Sequence, residues 1–321
     1  MENTINTQYH NKLGMGIYHL DTRWCSHKDF DYVSDLGIVN MYRITNEGVA
    51  STIYAGEKAK KSGAMIWVAP PIFYSRKETI EEYMQTLDKF VTKLKEAGVW
   101  DCVVGFQWDE PLLHKGHTNE DFLAMTKAVT EAYGKRIFPV FSFYEIVGKR
   151  GNDGDPDFQW LLRKECSTYI TDAAFDVYGY DFTNPQDERT LAEYKRLEGQ
   201  YGETFTCVED FLRYMTGRLL GLMENPDNVR VWYFPDAYAC GKRTGPARAV
   251  NEEDCINSLL GFKNLLLEQK NPGGLFSYTY KSWGDHDALD WHLNKKNPNQ
   301  WKKYIEVAKQ VCAELSSIEI K

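Results

Sequence analysis

The chain has 321 residues, 43% hydrophobic and 26% charged, with a formal net charge of -8. No basic run and no apolar segment of spanning length occurs, which argues against nucleic acid and membrane partners. Seven cysteines, an odd number without a CxxC spacing, argue against a disulfide framework or a structural zinc site. The opening residues MENTINTQYHNKLG lack the basic start and apolar core of a signal peptide, so a cytoplasmic protein with reduced thiols is expected.

In chain order, GMGIYHL (14–20) reads as a first strand. Residues 27–36 carry Phe30, Val33 and Leu36 at helical spacing, and Gly37 can end that helix. VNMYRI (39–44) is the second strand, a Lys-rich helix spans 50–62, and AMIWVAP (64–70) is the third strand. Tyr83, Leu87, Phe90, Val91 and Leu94 fall on one helical face. CVVGFQWDEP (102–111) then reads as a buried fourth strand, stopped by a proline that has no donor for a ladder.

Thr118 and Asp121 form a capping-box pattern before the helix of Phe122, Met125, Val129 and Tyr133. IFPVFSF (137–143) is a fifth strand, weakened by its internal Pro139. A polar loop at 149–157 leads into a helix over 158–168. AFDVYGYD (174–181) is the sixth strand, and a polar helix is expected at 187–200. TFTCVEDF (204–211) reads equally as a strand or as the start of a helix with Leu212, Met215, Leu219 and Leu222. VRVWYFPD (229–236) is a strand, followed by a long loop and a helix over 252–269. LFSYTY (275–280) is the last strand, after NPGG read as a turn, and a helix over 300–316 closes the chain.

Eight strands alternating with helices is the pattern of an α/β protein, a single (β/α)8 TIM barrel over 1–321. The rival doubly wound sheet would need a GxGxxG or a P-loop, and neither is present. In a barrel, functional groups sit at the C-terminal ends of the strands. Those ends bring His19 and Asp21, Arg43, Trp67, Asp109 and Glu110, Tyr144 and Glu145, Tyr178 to Asp181, Trp232 to Asp236, and Tyr280 to Trp283. The set is acidic and aromatic with one arginine. It suits a small neutral polyhydroxylated substrate or an oligosaccharide, with no cofactor and no metal.

Cleaving a glycoside takes two carboxyl groups, one protonated to release the leaving oxygen and one to attack or to activate water. Glu110, beside Trp108 at an apolar strand end, fits the acid. The residue-level alternative is a structural salt bridge between Glu110 and Arg43. Trp283, just past a strand end, is a candidate sugar platform, as is Trp67, although Trp67, Trp108 and Trp232 could equally fill the core.

WDEP resembles the Asn-Glu-Pro motif of the clan A retaining glycoside hydrolases, which are (β/α)8 barrels. The resemblance implies that Glu110 is the acid/base and Arg43 the strand-two arginine that orients the nucleophile. It matches Tyr178 or Tyr180 to the strand-six tyrosine and Trp283 to the strand-eight tryptophan. Asp109 stands where that family has asparagine. Asp236 stands where it has a glutamate nucleophile, unless 204–211 is a strand and Glu209 takes the role. YGYDF resembles, separately, the Met-x-Tyr-Asp motif of chitinase-like barrels. There Tyr180 and Asp181 would position a substrate acetamido group, but the DxxDxDxE motif of that family is not present. Two further readings stay open: a non-catalytic sugar-binding barrel, and a metal-dependent barrel using His19, Asp21 and a strand-end acid.

Overall fold

A computed structural model describes residues 11–45, 49–70, 79–112, 117–147, 161–176, 195, 204–205, 207–237, 239–240, 251–280, 282 and 286–320. Eight parallel strands form one nearly closed barrel. They are β1 (Gly14–Ile17), β2 (Met41–Thr45), β3 (Met65–Ala69), β4 (Val103–Asp109), β5 (Arg136–Ser142), β6 (Asp172–Asp176), β7 (Arg230–Tyr233) and β8 (Pro272–Ser277). A helix follows each: α1 (His27–Leu36), α2 (Val49–Ser62), α3 (Ile80–Glu96), α4 (Asn119–Tyr133), the short α5 (Phe143–Val147), α6 (Val208–Gly221), α7 (Glu252–Glu268) and α8 (Lys302–Ser317). A separate two-stranded ladder pairs 239–240 with 286–287.

The helices form for the reasons their spacing gave. Tyr83, Leu87, Phe90, Val91 and Leu94 of α3 are all buried against the barrel. Each such side chain contributes about 1.5–3 kcal/mol of gross transfer free energy. Thr118 caps α4 as a capping box with Asp121, whose N–H donates to Thr118 Oγ1 at 3.1 Å. Gly134, at φ 60, ends the same helix in the left-handed conformation.

Several expectations are corrected. The residues from Val208 onward are helical, so Glu209 lies in the first turn of α6 and the strand count stays at eight. The expected helix over 158–168 reduces, among its described residues, to a 3-10 turn at Lys164–Ser167. β5 runs through Pro139, which stands opposite Trp108 in the ladder. β8 begins inside the NPGG stretch instead of after it. Residues 177–181 of the expected sixth strand and the helix at 187–200, apart from Lys195, lie outside the described residues.

The reason β8 needs its glycines is a ring. Trp232 of β7 is fully buried inside the barrel, and a Cβ on Gly14 would lie 2.6 Å from it. A Cβ on Gly273 or Gly274 would collide with the same indole. Above and beside it pack Trp67, Phe138 and Phe276, with Trp67 and Phe138 at 5.0 Å and Phe138 and Trp232 at 4.9 Å between ring centres. Polar groups from the N-terminal ends of the strands seal this floor. Arg136 Nε donates to Asp172 Oδ2 at 2.8 Å, and Trp232 Nε1 to Asp172 Oδ1 at 2.7 Å.

No helix among the described residues is long and apolar enough to cross a membrane. The cysteines at 25, 102, 166, 207, 255 and 312 are free thiols.

Candidate active site

β4 delivers two adjacent acids to the mouth. Strand alternation gives Asp109 the same inward face as Gly105 and Gln107. Glu110 then extends the ladder by one bond, its N–H donating to Val140 O at 2.7 Å. At that residue the backbone turns left-handed, with φ 43. A non-glycine residue there costs about 1–2 kcal/mol. Pro111 adds to the strain, because the residue before a proline favours extended backbone.

The restraint that holds this turn is Glu145, which is wholly buried. One of its carboxyl oxygens accepts the Leu112 N–H at 2.6 Å, and the other accepts the Ser142 N–H at 2.5 Å. It thus fastens the segment just past Glu110 to the end of β5. Glu145 is a clamp for the site, with its oxygens occupied by backbone donors.

Across the barrel, Arg43 of β2 is buried and lies 3.3 Å from Asp21 Oδ2. Its guanidinium stands over the Tyr18 ring, 4.8 Å from the centre. Burial alone would lower its pKa, but Tyr18, Asp21 and Asp109 outweigh that and raise it, so it is a fixed cation. Burial raises the Asp21 carboxyl, and Arg43 offsets only part of the rise. The carboxylate paired with Arg43 is therefore Asp21 of the β1 loop.

His19, two residues past the end of β1, has φ 60. Its Nδ1 lies 2.6 Å from Thr279 Oγ1, and the ring packs against Tyr18 and Tyr278. Burial, then Arg43 and Arg23, push its pKa down to about 3, so the imidazole is neutral across the ordinary pH range. His19 and Glu110 are the two non-glycine residues of positive φ among the described residues. Both stand at the C-terminal ends of barrel strands.

Asp236, past the end of β7, is 7% exposed. Its N–H donates to Ser258 Oγ at 3.0 Å, and its backbone bridges to Tyr278. Tyr278 in turn tilts against Tyr18, with ring centres 5.7 Å apart. Contacts and charges thus link Asp109, Arg43, Asp21, Tyr18, His19, Tyr278 and Asp236 around the mouth, from β4 through β2, β1 and β8 to β7.

The mouth does not include Trp67. Its ring is fully buried beneath Arg136, 5.0 Å from the guanidinium, at the floor end of the barrel. That position is set by β3, whose Trp67 stands opposite Gly105 in the ladder. Tyr178, Tyr180, Asp181 and Trp283 lie outside the described residues. Tyr18 and Tyr278 are additions to the site. Both carry the inward period of two, Tyr18 after Gly14 and Gly16, and Tyr278 after Phe276. Among the described residues, no group of three His, Cys, Asp or Glu side chains could hold a metal ion.

No protein-family model matches the sequence, and no curated protein matches it. Solved structures do. GH5_18 from Streptomyces cattleya, in complex with GlcNAc, superposes with a TM-score of 0.58 at 12% identity, over 95% of this chain and 80% of that one. An exo-beta-1,4-mannosidase from Opitutaceae bacterium strain TAV5 gives 0.58 at 11%, over 97% and 62%. A GH30 endoxylanase from Clostridium papyrosolvens gives 0.52 at 13%, over 96% and 74%. These neighbours are glycoside hydrolases, and at such identities the likeness establishes the (β/α)8 fold.

Proposed function

We propose that the protein is a glycoside hydrolase in which Glu110 is the acid/base. The observation that carries this reading is the turn at Glu110. A left-handed, pre-proline glutamate is held at a strand end by a wholly buried clamp, and strain of this kind collects where a side chain must be aimed. Protonated Glu110 donates to the glycosidic oxygen as the bond to the anomeric carbon breaks. Asp236 is the second carboxyl group. It is one methylene shorter than the glutamate of clan A. As nucleophile it would attack the anomeric carbon, with Glu110 then activating the water that releases the sugar. As base it would activate the water itself, with Glu110 acting as acid alone. Arg43 and Asp109 orient the acids and the sugar, and neutral His19 hydrogen-bonds a hydroxyl. The motif resemblance adds Tyr178 or Tyr180 and Trp283 as sugar-binding residues. In a substrate-assisted variant of the reaction, Asp181 with Tyr180 would hold an acetamido group.

Glu110→Gln tests the reading. With an aryl glycoside panel, kcat/KM should fall about 10²- to 10⁴-fold while circular dichroism is unchanged. Normal activity in this variant would end the proposal. The conformational premise has its own check. Glu110→Gly should be about 1 kcal/mol more stable than Glu110→Ala in urea, because glycine takes positive φ without a Cβ penalty.

A second reading has one observation behind it. Asp236 has its backbone fixed to Ser258 and Tyr278 and replaces the glutamate a nucleophile would need. A sugar-binding barrel without turnover would give calorimetric binding and no hydrolysis across the same panel.

A further inference from the structure

Among the described residues three large hydrophobic side chains are exposed: Trp24 at 43%, Leu267 at 39% and Trp291 at 50%. Leu267 lies at the end of α7, at the floor end of the barrel. The two indoles lie at the opposite end, on the loops that follow β1 and β8, which are paired neighbours in the sheet. Single exposed apolar groups are ordinary, but two tryptophans on one stretch of rim beside a polar mouth are not.

The backbone under both indoles is held in place. The N–H groups of Trp24 and Cys25 donate to Asp21 O at 3.2 and 3.0 Å, and the Arg23 N–H donates to Asp21 Oδ1 at 2.9 Å. Asp21 is the ion-pair partner of Arg43, so the Trp24 turn is built on the mouth itself. Arg23 lies 4.7 Å over the Trp24 ring, covering one face, and is close enough to His19 to affect its titration. Trp291 sits on a one-turn helix, Leu289–His292, fastened to the end of β8. There Leu289 N–H donates to Thr279 O at 3.2 Å and Asp290 N–H to Tyr280 O at 2.7 Å. Tyr280 OH donates to Asp29 Oδ1 at 2.8 Å, which ties the β8 loop to the start of α1. The described parts of both loops are thus fastened to the ends of β1 and β8, and each carries one exposed indole.

A flat indole is complementary to the C–H face of a pyranose, and a rigid one loses little conformational entropy on binding. We propose that Trp24 and Trp291 are platforms on which sugar units of an oligosaccharide stack as the chain leaves the mouth across the β1–β8 rim. This rests on the glycoside hydrolase reading for what occupies the mouth. It makes the substrate a neutral chain, with one unit in the mouth and further units on the indoles, in place of a single small glycoside.

Titration calorimetry on the Glu110→Gln protein is the test, with manno-, xylo-, cello- and chito-oligosaccharides of increasing length. Affinity should rise with length in one series, by about fivefold to tenfold for each platform reached. Trp24→Ala and Trp291→Ala should each remove one such step, and Trp24→Phe and Trp291→Phe should restore it. Leu267→Ala should bind as the parent does. The proposal is overturned if no series shows a gain with length, or if both alanine variants keep the gain. Absence of turnover in the wild-type protein, with the length-dependent binding intact, would defeat the hydrolase reading and leave the platforms standing.

Discussion

One cation at the mouth serves two carboxylates, and that sets a testable pH dependence. Arg43 faces Asp21 directly and also feels Asp109. Arg43→Met would leave Asp21, 1% exposed, without its partner. Breaking a buried pair from one side costs about 3–5 kcal/mol. Burial already raises the Asp21 carboxyl with Arg43 present, and without it the rise grows. A raised carboxyl stabilises the fold below its unfolded-state value, and that contribution is lost as pH rises through the folded-state value. The deficit of the variant should therefore be greatest at neutral pH and shrink as pH falls towards the ordinary carboxylate range, about 4. His19 works in the same direction, because losing Arg43 removes part of what holds it neutral. Urea midpoints at pH 7.5 and 5.0 check this, and an equal deficit at both would refute it. The end of β4 at Asp109 and Glu110 was legible at this scale, because the proline that follows has no donor for a ladder. The clamp role of Glu145 was not, because its partners are backbone N–H groups fixed by strand pairing.

At the scale of elements, the helices were the readable part. Their apolar spacing and caps are local chemistry, and Thr118 with Asp121 is found as written. The strand edges were not, and β8 shows why. NPGG carries turn residues, yet Pro272–Ser277 is a strand because Gly273 and Gly274 make room for the Trp232 indole of β7, far away in sequence. Trp67 stayed open between core and platform for a related reason: a strand's alternation says inward but not at which level of the barrel. The close approach predicts a coupling. Every nearest neighbour of a Cβ on Gly273 belongs to the Trp232 ring. Gly273→Ala should cost about 2–3 kcal/mol by overpacking. In a Trp232→Leu background it should cost under about 1 kcal/mol, so that the double-mutant cycle returns a coupling above about 1 kcal/mol. Additive costs would mean that the alanine is resisted by something other than the ring.

For the whole molecule, the question is how the barrel closes. β1 and β2 are the two ends of the sheet order, with no ladder between them. Near the mouth, Asp21 and Arg43 bridge the seam by backbone and by charge. Near the floor the bridge is Asn40. Met15 N–H donates to Asn40 Oδ1 at 2.7 Å, and Asn40 Nδ2 donates to Leu13 O at 2.9 Å and to Ser316 Oγ at 2.8 Å. Its own N–H donates to Met15 O at 2.9 Å, and its carbonyl accepts from Met65 at 2.9 Å. A single side chain thus stands in for part of a strand pair and ties α8 to the same point. Asn40→Ala removes the three side-chain bonds and leaves the Met15 N–H and the Leu13 carbonyl unmade in a buried setting. At about 1–3 kcal/mol for each unmet group, the loss should be about 2–4 kcal/mol. Asn40→Asp keeps the acceptor for Met15 but turns both donors into acceptors facing Leu13 O, so it should fare no better. The signature that separates seam opening from general loosening is local. In Asn40→Ala the amide of Met15 should exchange faster than those of β4 and β5, whose ladders are complete on both sides. Uniform acceleration across the sheet would mean that Asn40 stabilises the fold without being the latch of the barrel.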